Sequence, residues 1–171
     1  MIYDRILVRY GELSIKGKNR KYFKNALHKI IRRKLSDLKQ LKYEVTRDRF
    51  YIILNGTNPD LVTEQLDKVF GLQSYSLTAR CENDIDAIKA LALEIINEQP
   101  AVKTTFKVET KRSDKQFPMQ SGEISRAVGA HLLINTSHLS VDVHHPDMTV
   151  FVEVRREGTF IMAEHIKGLG G

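Results

Sequence analysis

The stretch FYIILNGTNPDLVTEQLDKVFGLQSYSLTA (residues 50–79) carries the signals of a strand, a helix and a second strand, in that order. Phe50–Leu54 is a β-rich run. Asn58-Pro59-Asp60 is typical of a helix start, because asparagine caps the helix and proline fits its first turn. Gly71 is expected to end this helix, and Leu72–Ala79 again has the composition of a strand.

The preceding residues extend this pattern. Ile2–Tyr10 and Tyr43–Thr46 are rich in strand formers. Between them, apolar residues recur at steps of three and four, which predicts an amphipathic helix whose basic residues and His28 face solvent. The predicted buried stripe comprises Phe23, Leu27, Ile30, Ile31, Leu35 and Leu38. The resulting β-α-β-β-α-β order predicts an α+β, ferredoxin-like domain over residues 1–76.

The residues that follow predict a second α+β domain over 77–165, although its boundary could start as early as residue 60. Its elements follow the order α-β-α-β-β-β. They are expected at Asp84–Glu98, Thr104–Glu109, Glu123–Leu133, Leu139–Val143, Thr149–Val154 and Phe160–Ala163. Residues 166–171 end in GLGG, which is typical of a flexible linker to a further domain.

Positive charge is concentrated at the N-terminal end of the chain. Residues 1–50 contain 15 Lys/Arg and 5 Asp/Glu, a balance of +10, so the rest of the chain contributes −4 to the total of +6. Within residues 16–34 there are nine basic residues and no acid. Such a block favours a polyanionic partner, nucleic acid first and an acidic membrane surface second. A solvated helix face is the alternative.

The totals are those of a globular protein. The chain has 171 residues, of which 42% are hydrophobic, so it can bury a core. Cys81 is the single cysteine, which favours a reducing compartment. No segment approaches the ~20 apolar residues of a membrane span. We therefore expect a soluble, cytoplasmic protein without a membrane partner.

The loop before the first helix nearly matches a nucleotide-binding P-loop. That motif needs four residues between its first glycine and its Gly-Lys pair, but five separate Gly11 from Gly17. Asn19 also stands where the motif has a hydroxyl for magnesium. One extra residue spoils the cradle of backbone N–H groups, so we do not assign this loop to a nucleotide.

A second basic loop precedes the helix at Glu123. Ser121-Gly122 opens that helix, whose free N–H groups could bind a phosphate. Phe117 could stack on an unpaired base, or it could fill the local core. The cations expected at this phosphate site are Lys111, Arg112, Lys115 and Arg126, the last of which could point back from one turn inside the helix.

No residues form a convincing metal or catalytic set. His144 and His145 are adjacent on a strand edge, so they should point to opposite faces, and no histidine spacing matches a zinc site. Cys81 has no CxxC partner and is expected to be packed rather than reactive. We therefore predict no metal, no cofactor and no catalytic residue in this region.

Three motifs resemble those of bacterial tRNA sulfurtransferases, which make 4-thiouridine in tRNA and supply sulfur for thiamine thiazole. RYGELSIKGKNRKYF (residues 9–23) resembles the N-terminal signature of these enzymes. FKVETKRSDKQFPMQSGEISRAVGAHLL (106–133) and VDVHHPDMTVFVEVRREGTFI (141–161) resemble the THUMP domain of these and other tRNA modifiers.

The resemblance implies that a ferredoxin-like domain and a THUMP domain bind tRNA together at its acceptor stem and 3′ end. The contacts we expect to stem phosphates are from Lys16, Lys18, Arg20, Lys21 and Lys24. In the family, an SGGxDS-type ATP pyrophosphatase loop and a catalytic cysteine follow a glycine-rich linker, and neither is present here. ATP, magnesium, a cysteine desulfurase and the thiamine sulfur-carrier protein are thus implied for a catalytic domain that this segment lacks.

Two other functions stay open at this point. THUMP domains also precede methyltransferase and deaminase domains, so the intact enzyme could carry out either of those reactions. A non-enzymatic accessory protein, bound to RNA or to a membrane through its basic helix, is the other alternative. The oligomeric state, including a homodimer, also stays open.

Overall fold

The computed structural model describes residues 2–10, 20–46, 49–69 and 72–165. The contacts divide the chain into two units, of which unit 1 comprises Tyr3–Thr78 and unit 2 begins at Ala79. Lys16, Lys18, the near-P-loop glycines and the expected linker over 166–171 lie outside the described residues.

Unit 1 has the predicted order of elements. They are β1 (Arg5–Tyr10), α1 (Arg20–Lys34), β2 (Lys42–Val45), β3 (Phe50–Ile53), α2 (Pro59–Leu66) and β4 (Leu72–Cys81). The sheet order is β2-β3-β1-β4, and each neighbouring pair is antiparallel. The prediction of a ferredoxin-like unit is therefore confirmed.

The buried side of α1 differs from the predicted stripe. Leu27, Ile31 and Leu35 are buried as predicted, but Phe23 and Ile30 are 45% and 42% exposed. His28, which was expected to face solvent, is only 9% exposed. In this orientation of the helix, the imidazole of His28 stacks on the aromatic ring of Phe50. Apolar spacing alone predicts that Ile30 is buried and that His28 is exposed, so it does not predict this contact.

Helix α2 begins as predicted and ends early. The side-chain oxygen of Asn58 accepts a hydrogen bond from the Asp60 N–H at 3.0 Å, and Pro59 is the first helical residue. The helix ends at Leu66, five residues before Gly71. Val69 is still buried, at 8% exposure, although it follows the helix. Because Val69 is buried at helical spacing from Leu66, the apolar pattern predicted a longer helix than the structure has.

Unit 2 also has the predicted order. Its elements are α3 (Ile85–Asn97), β5 (Thr104–Arg112), α4 (Ser121–Ile134), β6 (Leu139–Val141), β7 (Met148–Arg155) and β8 (Gly158–His165). Strand β5 lies between β6 and β7 and is parallel to both, and β8 is antiparallel to β7. The last three residues of β4 pair with β8. The core between this sheet and its helices includes Ile88, Phe106, Ile124, Val128, Val150 and Val152, all fully buried.

Strand β5 is three residues longer than predicted. Its parallel ladder with β7 continues through the pairs Lys111↔Glu153 and Arg112↔Val154. These two cations were expected in a loop, because the predicted strand ended at Glu109. The ladder places them on the last strand residues instead. This shift determines where their side chains point.

Candidate nucleic-acid interface

The first turn of α1 presents cations where a helix favours anions. Arg20 and Lys21 are exposed, Lys24 is partly buried, and the helix contains no acidic residue. The N-terminus of a helix carries partial positive charge, so basic residues there do not stabilise the helix. Within α1, an anionic partner would therefore stabilise this end the most.

Not every basic residue of α1 is available to a partner. The guanidinium carbon of Arg32 lies 4.9 Å from the ring centroid of Tyr43, in cation–π geometry. Arg32, Arg33 and Lys34 occupy the last turn, where positive charge stabilises the helix dipole. Among the described residues of the predicted cationic block, the cations in the last turn of α1 thus stabilise the helix, and those in its first turn do not.

In unit 2, Arg112 holds the loop between β5 and α4. Its Nη1 donates to the carbonyl oxygens of Asp114 at 3.0 Å and Phe117 at 3.4 Å. Its Nη2 donates to Oε1 of Gln120 at 3.3 Å. A guanidinium with these contacts closes the loop on itself. Arg112 thus shapes the segment that precedes α4, and its contact with RNA stays a prediction.

Phe117 lies inside unit 2. Its side chain is 7% exposed, so the ring has no open face for an unpaired base. This burial supports the alternative in which Phe117 fills the local core. Its backbone carbonyl also accepts from Arg112, so ring packing and the Arg112 contacts fix the same loop.

The predicted cations of this loop are not all directed to one place. The Thr110 and Ser125 hydroxyls lie 2.8 Å apart, so Thr110 faces α4. Successive side chains of a strand point to opposite faces, so Lys111 leaves the sheet on the face away from α4. Lys115 is exposed in the loop itself. Of Lys111 and Lys115, only Lys115 belongs to the loop that leads into α4.

Arg126 does return to the start of α4, as predicted. A Cβ placed on Gly122 would lie 3.3 Å from Nη1 of Arg126, so the guanidinium lies over the first turn. At the same end, the Gln120 N–H donates to the Glu123 carboxylate at 3.1 Å. A guanidinium beside the positive end of a helix does not stabilise the helix dipole, and a helix N-terminus is a favourable place for an anion.

Asn83 is a positioning residue that the sequence did not reveal. Its Nδ2 donates to Oδ2 of Asp114 at 3.1 Å and to the carbonyl of Arg155 at 2.6 Å. Its Oδ1 accepts from the buried hydroxyl of Thr159 at 2.8 Å. The side chain thereby ties the β5–α4 loop to the β7–β8 hairpin. These partners lie 31 to 76 residues away along the chain, so no local motif could indicate them.

The structure also describes Cys81 and the histidines that follow β6. Burial raises the pKa of the Cys81 thiol to about 11, so it stays protonated near neutral pH. Within residues 2–10, 20–46, 49–69 and 72–165, no three His, Cys, Asp or Glu side chains are grouped to hold a metal ion. His144 and His145 follow β6 instead of lying on it, and both backbone N–H groups donate to Asp142. In the same part of the chain, no helix has the length and apolarity required to cross a membrane.

The chain matches two known domain families. Residues 5–76 match the ThiI ferredoxin-like domain, and residues 82–164 match the THUMP domain. A probable tRNA sulfurtransferase of Bacillus pumilus is 49% identical over 171 residues, which are 100% of this chain and 43% of the relative. The chain thus spans less than half the length of that relative.

Solved structures show the same likeness. A 4-thiouridine synthetase in complex with RNA and with bound ATP aligns with a TM-score of 0.80 and 33% identity, over 95% of this chain and 41% of that one. PH1313 from Pyrococcus horikoshii aligns with a TM-score of 0.77 and 28% identity, over 96% and 55%. Both alignments span nearly all of this chain, so they cover the segments of both units.

Proposed function

Since the chain consists of a ThiI ferredoxin-like domain followed by a THUMP domain, we propose that it is the tRNA-binding region of an ATP-dependent tRNA sulfurtransferase. The intact enzyme would make 4-thiouridine in tRNA and supply sulfur for thiamine thiazole. This region would dock the acceptor stem and the 3′ end. The observation that carries the proposal is the likeness, at a TM-score of 0.80 and 33% identity, to a 4-thiouridine synthetase in complex with RNA.

The geometry supports two roles for the candidate residues: direct contact with phosphates and positioning of the loop before α4. Arg20, Lys21 and Arg126 are exposed at helix N-termini, where they would bind phosphates together with backbone N–H groups. Arg112 and Phe117 would act indirectly by fixing the loop before α4. Side chains cannot read the deep groove of A-form RNA, so this region should recognise the shape and the ends of the RNA more than its sequence.

The N-terminal domain favours sulfur transfer over the other reactions found beside THUMP domains. Residues 5–76 match a domain family described as ThiI ferredoxin-like, which supports the sulfurtransferase over a methyltransferase or a deaminase. Helix α1 uses its broad apolar side for the core of unit 1. That placement argues against an accessory protein that inserts this helix into a membrane.

The remaining parts of the reaction are proposed for regions of the intact enzyme outside this chain. These are the use of ATP with magnesium, the exchange of sulfur with a cysteine desulfurase, and its transfer to the thiamine sulfur-carrier protein. ATP is present in the solved 4-thiouridine synthetase, of which this chain covers 41%. We expect the 171-residue segment alone to be catalytically inactive, and we propose that the enzyme acts in the cytoplasm.

Binding of tRNA with and without its single-stranded 3′ tail, measured at two salt concentrations, tests the proposal. The affinity should fall with salt, with a log–log slope of about −0.7 to −0.9 per phosphate contacted. Removal of the tail should weaken binding. Salt-insensitive binding would contradict electrostatic capture, and equal affinities for the two RNAs would contradict a contact to the 3′ end.

A matched pair of variants tests the site on α4. Arg126→Gln removes the cation over the first turn of α4 and should weaken binding several-fold while lowering the salt slope by roughly one phosphate. Lys103→Gln is the control. Lys103 is exposed and directly precedes β5, whereas the loop that leads into α4 follows the other end of that strand. The two ends of this nine-residue strand are about 25–30 Å apart. Equal effects of the two substitutions would exclude a specific role for Arg126.

A further inference from the structure

Two adjacent aromatic side chains are exposed in the first turn of α1. Tyr22 is 73% exposed and Phe23 is 45% exposed. Their ring centroids are 6.2 Å apart with an interplanar angle of 78°, so the edge of one ring meets the face of the other. The buried side of α1 contains Leu27 and Ile31 instead. The two rings are therefore not needed for the core of unit 1.

Cations lie before this aromatic pair and further along the same side of α1. Arg20 and Lys21 precede it directly, and Lys29 and Arg33 follow Tyr22 at seven and eleven residues, on the same outward side of the helix. No acid occurs between Arg20 and Lys34. Exposed aromatic rings among cations are the arrangement with which proteins bind single-stranded nucleic acid, because cations bind the phosphates and rings stack on the bases.

The exposed apolar area of α1 is too narrow for a membrane. A helix that lies in a bilayer surface needs a continuous apolar face along its length. In α1 the large exposed apolar side chains are Tyr22, Phe23 and Ile30, while the continuous apolar face packs in the core. A short aromatic surface bordered by charge fits one or two planar rings better than lipid chains.

We propose that Tyr22, supported by the edge-to-face contact with Phe23, stacks on an unpaired base of the bound RNA. Arg20, Lys21 and Lys29 would contact the phosphates on either side of that nucleotide. The inference rests on the proposed function, because it names the part of the RNA that unit 1 binds. Every base has a π face, so this contact would tolerate different sequences.

A pair of substitutions at one position tests the role of the ring. Tyr22→Leu keeps an apolar side chain and removes the aromatic ring, whereas Tyr22→Trp enlarges the ring. Base stacking on an aromatic side chain corresponds to about 5- to 150-fold in affinity. Tyr22→Leu should therefore weaken binding of a single-stranded oligoribonucleotide by this factor and leave a blunt RNA duplex unaffected. Tyr22→Trp should retain both affinities.

Fluorescence reports the stacking directly, because the chain contains no tryptophan. The emission of the Tyr22→Trp variant should be quenched by the single-stranded oligoribonucleotide and not by the duplex. Ile134→Trp is the control, since Ile134 is 81% exposed at the other end of α4 from Arg126. Its emission should not change with either RNA.

Three results would overturn the inference. The first is an equal loss of single-stranded and duplex RNA binding in Tyr22→Leu, and the second is the absence of quenching in Tyr22→Trp. The third is that Tyr22→Leu loses binding to anionic phospholipid vesicles while its RNA binding is unchanged. The last result would assign the surface to a membrane. Failure of the unsubstituted chain to bind any RNA would instead reject the proposed function, and this inference with it.

Discussion

The imidazole ring of His28 lies against the ring of Phe50, with centroids 4.2 Å apart and an interplanar angle of 18°. The ring of Tyr43 also stacks on the ring of Phe50, with the two centroids 5.8 Å apart. Burial in this aromatic cluster, followed by the charges of Arg32 and Lys24, lowers the pKa of His28 from 6.5 to about 4. His28 is therefore a neutral core residue near neutral pH.

The lowered pKa of His28 predicts that unit 1 loses stability in mild acid. The unfolded chain binds a proton at His28 more readily than the folded chain, so the contribution is complete above pH 6.5 and is lost as pH falls toward 4. The loss should be at most about 3 kcal/mol. Urea unfolding of the original chain and of His28→Phe at several pH values measures it. A free-energy difference between the two proteins that does not change from pH 7 to 4 would show that His28 is not buried as described.

Adjacent isoleucines on α1 test the rotation of the helix. Ile31 is 0% exposed, whereas Ile30 is 42% exposed. Ile31→Ala should reduce the free energy of unfolding by about 2–5 kcal/mol, because it leaves a cavity in the core. Ile30→Ala should change it by less than about 1 kcal/mol. Chemical unfolding followed by circular dichroism compares the two variants. Similar losses in the free energy of unfolding would instead support burial of both isoleucines, as the apolar spacing predicted.

Asn83 should contribute to stability and to RNA binding through the loop that it holds. Asn83→Ala leaves the buried hydroxyl of Thr159 and the carbonyl of Arg155 without this partner, which should cost about 1–3 kcal/mol. Asn97→Ala, at the exposed end of α3, is the control and should cost much less. We also expect Asn83→Ala to weaken tRNA binding at temperatures where the variant is fully folded. Unchanged binding there would limit Asn83 to a structural role.

Substitution of two glycines with positive φ distinguishes the cost of backbone strain from the cost of a steric conflict. Gly56 has φ of +85° with no atom within 4 Å of an added Cβ. Gly158 has φ of +141°, and its added Cβ would lie 2.5 Å from Nε of Arg80. Gly56→Ala should cost about 1 kcal/mol of strain. Gly158→Ala should cost more, because it also displaces Arg80 from the Glu157 carbonyl, to which Nε donates at 2.9 Å.

The double variant identifies the source of the extra cost at Gly158. Adding Arg80→Ala to Gly158→Ala removes the steric conflict, so the two losses in unfolding free energy should sum to more than the loss in the double variant. Strict additivity would indicate that backbone strain alone disfavours a side chain at position 158.

Much of the fold could be predicted from the sequence because its signals are local. The predicted cap at Asn58 uses a partner only two residues away, the Asp60 N–H. Strand composition and helical spacing located the other elements in the same way. The ends of elements were less predictable: β5 extends to Arg112 because it pairs with β7, a strand more than 30 residues away.

The geometry of the candidate site residues was predicted in part. Arg126 returns to Gly122 because residues four apart are neighbours on any helix, so the sequence was sufficient. The direction of Lys111 and Arg112 depended on which face of the sheet each side chain joins, and the place of Phe117 depended on the burial of its ring in unit 2. The exposure of Tyr22 and Phe23 depended on the rotation of α1, which the contact between His28 and Phe50 accompanies.

The sequence alone determined the order of strands and helices, the cap of α2 at Asn58 and the concentration of positive charge near the N-terminus, since each depends on residues close together in the chain. Only the tertiary structure decided which side of α1 is buried, which cations hold loops, and which residue fixes the loop before α4. These choices depend on partners brought together from distant positions, as with Asn83 and Thr159, which are 76 residues apart. The energy of such contacts arises from packing and hydrogen bonding that exist only when the chain is folded.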